Sequence, residues 1–548
     1  MAVLTVEDLA VSFAHREGRT EAVRDVSFSI EAGRTLGIVG ESGSGKSVSL
    51  LAATGLLGPG ARVRGRAVHQ GIDLIAADRA HLRSIRGKDI GFVFQDPLSN
   101  LHPLIPIGRQ IGEAITAHHR VPRARLRARV LELLNEVEIP RAADRIDDHP
   151  VHLSGGMRQR VMIAIALACN PGLVIADEPT TALDVTVQAS ILALLGRLQR
   201  DHGTALVVVS HDLAVVSDIA DDVLVMRDGA IVEAGSARAV YTAPKTAYTR
   251  SLLAAHRTLG SRSAERAESQ RSPLLRVTGI EKSFCTRAAP LLGGFIARRS
   301  APDTAPVLSG IDFEIGAGEI VGLVGESGSG KSTIGRIVAG LDRPDAGTVA
   351  LGTDTYITPG SGRADLAAEV RRSVQMVFQD PYGSLNPRRR VREILEAPYR
   401  LAGRSRADAR QRAEALIARV GLAADFLHRY PGQLSGGQRQ RVAIARAIAL
   451  GPALVIADEP ASALDVTTQD HILALLRDLR DESGTALLFI SHDLGVVAAL
   501  CDRVLVLREG TIVEQGPTAA VFAAPQHDYT RVLLDSVPGR RHREAVDV

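Results

Sequence analysis

The octapeptide GESGSGKS occurs twice, as Gly40, Glu41, Ser42, Gly43, Ser44, Gly45, Lys46 and Ser47 and again as Gly325, Glu326, Ser327, Gly328, Ser329, Gly330, Lys331 and Ser332. Each copy has glycines where backbone N–H groups can close on phosphate oxygens, a lysine that reaches the terminal phosphates and a hydroxyl placed for Mg2+. The chain contains only five lysines, and two of them stand in these loops. A compact ammonium fits among phosphate oxygens where a planar guanidinium does not, so lysine persists here in a chain that otherwise uses arginine. One such loop implies a nucleotide site; two identical ones imply a paired machine.

Other landmarks repeat at nearly the same spacing. Lys46 and Lys331 are 285 positions apart, and Gln95 in FVFQDP and Gln379 in MVFQDP are 284 apart. LSGGMRQR and LSGGQRQR, the two LVIADEP segments, and VSHDL and ISHDL with His211 and His492 are each 281 apart. An offset this constant means that each half is the same fold with small loop differences.

The elements that position these residues can be read from apolar patterning. TLGIVG and IVGLVG are short apolar runs feeding the glycine loops, as buried parallel strands running into helices would be. LVIADE, TALVVVSHD and TALLFISHD read as further buried strands. Leu126, Val130, Leu133, Leu134 and Val137 fall on one helical face, and Ala413, Leu416, Ile417 and Val420 repeat that pattern, which predicts a small helical subdomain in each half. Polar, aperiodic residues 258–272 read as a linker, giving a first domain at 1–257 and a second at 273–548. The second half carries an extra stretch, 285–306, whose short apolar centre suits either a partner contact or a plain surface excursion.

Bulk properties agree. At 548 residues the chain fits two α/β domains, and a formal net charge of +3 demands no nucleic-acid partner. The longest apolar stretch, from Val161 to Ala176, is interrupted by Asn170, Pro171 and Gly172, short of the roughly 20 residues that cross a bilayer. The N-terminus lacks a secretory pattern, so a cytosolic location is expected. Cys169, Cys285 and Cys501 lie more than 100 residues apart, which suggests neither a zinc site nor a disulfide framework.

The order of phosphate loop, Gln, LSGG(Q/M), LVIADE, (S/T)ALD and SHD resembles two fused ATP-binding-cassette ATPase domains. The FQDP segments followed by LHP or LNP, with the tails APKTAYTRSLL and APQHDYTRVLL, look like the peptide and nickel importer ATPases, dipeptide and oligopeptide permeases above all. The resemblance implies two tandem P-loop NTPase domains, each an α/β core with an antiparallel β subdomain and a helical subdomain. It implies ATP and Mg2+ as ligands. Lys46 and Lys331 would bind the β- and γ-phosphates, and Ser47, Gln95, Asp177, Ser332, Gln379 and Asp458 would hold Mg2+. Glu178 and Glu459 would be general bases. His211 and His492 would touch the γ-phosphate, and Gln95 and Gln379 would sense it from the Mg2+ side.

Ser154, Gly155 and Gly156, with Ser435, Gly436, Gly437 and Gln438, open helices whose first N–H groups suit a phosphate. In the family that phosphate belongs to the opposite domain's nucleotide, so no self-dimer is needed. Asp184 and Asp465 resemble the loop passing between the sites. Phe13 and Phe284 match the aromatic that stacks on adenine, the alternative being ordinary core residues. Met157 departs from the Gln seen at Gln438, from which a modest asymmetry is expected. The cysteine cluster that binds an iron–sulfur centre in many relatives is lacking, so no cluster is expected.

The implied function is the energy-coupling subunit of a peptide importer at the cytoplasmic face of the membrane. Its implied partners are two separate permease subunits and an extracytoplasmic substrate-binding protein. Nickel, glutathione or haem remain alternative cargoes, and a soluble tandem ATPase acting on ribosomes or nucleic acid is the alternative class.

Overall fold

The computed structural model describes residues 2–15, 18–180, 183–254, 273–285, 304–360, 366–461 and 466–539. The segment read as a linker, most of the 285–306 insert, and Asp465 lie outside these residues. Contacts divide the chain into two units, Met1–Arg257 with Ser536–Val548, and Thr258–Asp535. Of the first unit's C-terminal segment, residues 536–539 are described, and there the Gly539 N–H donates to Asp218 Oδ2 at 2.8 Å.

In the first unit the strands are β1 Ala2–His15, β2 Gly18–Glu31, β3 Thr35–Val39, β4 Ala61–His69, β5 Ile72–Asp73, β6 Ile90–Val93, β7 Leu173–Asp177, β8 Ala205–Ser210, β9 Asp222–Arg227 and β10 Ala230–Ser236. They form a four-stranded antiparallel sheet, ordered β2-β1-β4-β5, and a six-stranded sheet, ordered β10-β9-β3-β8-β7-β6. The second sheet is parallel except for its β10 edge.

The second unit repeats this with β11 Pro273–Cys285, β12 Thr304–Gly316, β13 Ile320–Val324, β14 Ala346–Leu351, β15 Asp354–Ile357, β16 Val374–Val377, β17 Leu454–Asp458, β18 Ala486–Ile490, β19 Arg503–Arg508 and β20 Thr511–Pro517. Its sheets run β12-β11-β14-β15 and β16-β17-β18-β13-β19-β20.

Strands β3, β7 and β8 are buried at every position, because layers cover both faces of the parallel sheet. Side-chain alternation divides them between two cores. Leu173, Ile175, Val207 and Val209 point to the antiparallel sheet and meet Leu4, Val6 and Leu9. Val174, Ala176, Leu206 and Val208 point the other way, into the helical layer of Ile107–Thr116, Arg123–Glu136 and Gly155–Leu167. The expected helical face is there: Val130, Leu133, Leu134 and Val137 are buried, with Leu126 at their margin. Ala413, Leu416, Ile417 and Val420 are buried in the same manner.

Register brings the C-terminal strand ends together. Val39 pairs with Ser210 and Asp177 with Val209, while β6 lies beside β7. The segments leaving β3, β6, β7 and β8 therefore start on one edge of the sheet, where open α/β sheets bind ligands. Among the described residues no helix is long and apolar enough to cross a membrane.

Leu133 is fully buried in the helical layer. Leu133→Ala should cost about 2–5 kcal/mol through lost burial and the cavity it leaves, and urea unfolding of the first unit is the measurement.

Candidate active site

Each glycine loop leaves the end of a buried strand and turns directly into a helix, Lys46–Ala53 or Lys331–Val338. Gly45 caps the first helix with φ 97°, and a Cβ there would stand 2.6 Å from the Ala22 carbonyl oxygen. Only glycine accepts both the left-handed backbone and that approach. Lys46 is 5% exposed, and its Nζ donates to the Gly40 and Glu41 carbonyls at 2.7 and 2.8 Å. Lys331 makes the same pair of bonds, to Gly325 at 2.7 Å and Glu326 at 2.8 Å. The hydroxyls of Ser44 and Ser329 are buried and find no hydrogen-bond partner among the described residues. A buried hydroxyl demands a partner, and phosphate oxygens beside a loop of N–H groups supply one.

The Ser47 hydroxyl donates to Asp177 Oδ1 at 2.7 Å, and Ser332 to Asp458 Oδ1 at 3.1 Å. Burial raises the pKa of both aspartates, Asp458 to about 6, against the lowering effect of the serine bonds. A hard dication would favour their ionised form, so the hydroxyl and carboxylate pairs fit Mg2+ shared with phosphate oxygens.

Beyond the aspartates, Glu178 and Glu459 sit at φ 46° and 47°, in the left-handed region that costs a side-chain-bearing residue about 1 kcal/mol or more. Their N–H groups donate to Val209 and Ile490 at 3.0 and 2.9 Å, anchoring the turn to the neighbouring strand. Gln95 Nε2 donates to Glu178 Oε2, and Gln379 Nε2 to Glu459 Oε2, both at 2.7 Å. His211 Nδ1 stands 3.8 Å from Glu178 Oε2, and His492 Nδ1 3.2 Å from Glu459 Oε1.

Burial opposes charge on these histidines, but the adjacent glutamates outweigh it and lift both imidazoles above their ordinary range. Burial likewise opposes ionisation of Glu459, yet the His492 bond and the Lys331 charge hold its carboxyl below the usual range. Each unit thus brings Gln, Glu and His into one cluster, with the glutamine seated on the glutamate.

The LSGG residues cap helices. The Ser154 hydroxyl accepts from Met157 N at 3.3 Å and the Ser435 hydroxyl from Gln438 N at 3.3 Å. A Cβ on Gly156 would stand 2.5 Å from Val187 Cγ1, and one on Gly437 2.2 Å from Thr468 Cγ2. These second glycines therefore admit the neighbouring helices, Val185–His202 and Val466–Ser483. Asp184 caps the first of them, accepting from Val187 N at 2.9 Å. Phe13 lies on β1 opposite Thr20 and Ala61, partly buried against the core. Phe284 is 43% exposed, with the Lys282 ammonium 5.3 Å over its ring, so it is not an ordinary core residue.

The ABC transporter family model matches residues 23–181 and 308–462, spanning both phosphate loops and both acidic pairs. This chain belongs to the ABC transporter family. The family of the oligopeptide/dipeptide transporter C-terminal region matches residues 513–546. The glutathione import ATP-binding protein GsiA of Pectobacterium atrosepticum is 42% identical over 580 residues, covering 99% of this chain and 91% of that one. Its namesake in Escherichia coli is 42% identical over 563 residues, covering 98% and 89%. A solved dimeric ATP-binding cassette bound to ADP and Pi is 31% identical with TM-score 0.40, over 43% of this chain and 98% of its own.

As an ABC transporter ATPase, the chain couples ATP hydrolysis to transport. Two contacts at its loops were not legible from motif spacing. The hydroxyls of Tyr248 and Tyr529 accept the N–H groups of Glu41 and Glu326 at 3.0 and 2.9 Å. Both tyrosines stand in the paired tails, where matched position in the two halves was the available signal.

The two signature helices of this ABC transporter also differ physically. Gln438 Oε1 accepts from Ser435 N at 3.0 Å, closing a capping box that methionine at position 157 cannot make. Met157→Gln should stabilise the first unit by about 1 kcal/mol, the net value of one hydrogen bond, read as a higher thermal midpoint. A midpoint unchanged or lowered would remove the capping explanation for the asymmetry.

Proposed function

We propose that this chain is the ATP-hydrolysing, energy-coupling subunit of an importer for peptide-class cargo. It works at the cytoplasmic face of the membrane with two separate permease subunits and an extracytoplasmic substrate-binding protein. The observation that carries the reading is a complete set in each unit: a buried loop lysine, a Ser–Asp pair and a Gln–Glu–His cluster.

In this reading Lys46 and Lys331 bind the β- and γ-phosphates of ATP, and Ser47 with Asp177, and Ser332 with Asp458, hold Mg2+. Mg2+ supplies charge neutralisation on the phosphates. Glu178 and Glu459 take the proton of the attacking water, whose oxygen bonds to the γ-phosphorus as the bond to the ADP oxygen breaks. Gln95 and Gln379 orient those carboxylates. His211 and His492, whose protonated form the adjacent glutamates favour, donate to the γ-phosphate. The helices that begin at Ser154 and Ser435 offer their first N–H groups to a phosphate. Phe13 and Phe284 stack on adenine, and Asp184 caps the helix that follows the acidic pair.

The match to an oligopeptide/dipeptide transporter region and the relatives named for glutathione import both support a peptide-class cargo, since glutathione is itself a tripeptide.

The double variant Glu178→Gln, Glu459→Gln should still bind ATP while hydrolysis falls about 10²–10⁴-fold, the usual value of a positioned base. An unchanged rate refutes the assignment. For the cargo, ATP-driven uptake of glutathione or a dipeptide by the reconstituted permease complex is expected, and uptake of neither would overturn the peptide reading.

A further inference from the structure

The tails of the two units are built alike. Helix Ala247–Ala254 follows β10, and helix Asp528–Asp535 follows β20. The Glu233 carboxylate on β10 fixes the start of the first, accepting from the N–H groups of Lys245 and Thr246 at 2.8 and 3.0 Å and from the Thr249 hydroxyl at 2.6 Å. Glu514 on β20 accepts from the N–H groups of Gln526 and His527 at 2.8 and 3.1 Å. The Arg227 guanidinium covers the Tyr248 ring at 4.9 Å, and Arg508 covers Tyr529 at 5.2 Å. Ring and helix are thus held independently of the phenolic oxygen.

That oxygen reaches a particular peptide plane. The Gly40 carbonyl and the Glu41 N–H belong to one planar unit. Its carbonyl accepts from Lys46 Nζ at 2.7 Å while its N–H donates to the Tyr248 hydroxyl at 3.0 Å. The Gly325–Glu326 plane is held in the same way between Lys331 at 2.7 Å and Tyr529 at 2.9 Å. Rotating either plane would swing away the oxygen that holds the lysine.

We propose that Tyr248 and Tyr529 are positioning residues for ATP binding, each fixing the peptide plane whose carbonyl aims the loop lysine at the phosphates. This rests on the reading of the loops as ATP sites. A phenol suits the task because it is a neutral acceptor, and a carboxylate so placed would repel a triphosphate. Burial raises the Tyr248 pKa further, so its hydroxyl stays neutral at working pH. The tail helices are thereby part of the nucleotide site in both units.

Tyr248→Phe and Tyr529→Phe keep the ring, the arginine contact and the helix anchor, and delete only the hydroxyl. In the full chain, the double variant should raise KM for MgATP about 5-fold, as loss of one buried hydrogen bond predicts, while kcat stays within about twofold. The thermal midpoint of the nucleotide-free protein should fall by no more than two lost hydrogen bonds account for, because the ring packing is retained. A direct titration with a fluorescent ATP analogue should show the same weakening in each single variant, so the result does not depend on turnover. Unaltered KM and analogue affinity would overturn the proposal, as would a fall in kcat or in thermal midpoint with KM unchanged. Wild-type protein that hydrolyses no ATP would fail the underlying reading instead, which keeps the two failures distinct.

Discussion

The ammonium of a lysine that is 5% exposed must be surrounded by oxygens, since an uncompensated buried charge costs several kcal/mol. Lys46 finds two of them on its own loop, at Gly40 and Glu41, and that requirement shapes the rest of the edge. The loop can fold back over the lysine only because its glycines tolerate close approach: a Cβ at Gly40 would stand 2.1 Å from the Met226 carbonyl oxygen. Met226 belongs to β9, the strand hydrogen-bonded to β3. The sheet therefore presses on the loop from below, and the antiparallel sheet presses on Gly45 through Ala22. A phosphate-binding geometry is built into the packing of both layers.

The same edge explains how groups distant in sequence become one cluster. Gln95, Glu178 and His211 follow three different strands, and parallel pairing brings those strand ends together. The left-handed backbone at Glu178 and Glu459 turns each carboxylate back toward its glutamine and histidine, at a strain that the bonds to Val209 and Ile490 hold in place. In the second unit the ionised form of Glu459 and the protonated form of His492 each favour the other, against the burial that opposes both charges.

The units are similar without being equal. Gln438 completes a capping box that Met157 does not, the Ser47–Asp177 bond is shorter than Ser332–Asp458, and Phe284 is exposed where Phe13 is partly buried. None of these differences removes a site's lysine, glutamate, glutamine or histidine. Both units therefore keep the residues proposed for hydrolysis.

Local patterns were enough for much of this protein. Identical loops, apolar runs of strand length and the 3.6-residue rhythm around Leu133 depend on neighbours in the chain, so phosphate chemistry, parallel strands and a helical layer were legible in the sequence alone. The matched spacing of landmarks likewise revealed the duplication. What needed the tertiary structure were contacts between segments far apart in the chain. Gln95 seats on Glu178 across 83 positions, the second signature glycine is required by Val187 of a later helix, and Tyr248 reaches Glu41 across 207. The physical reason is that a short hydrogen bond or a Cβ clash depends on the three-dimensional register of strands and helices, and no local periodicity encodes that register.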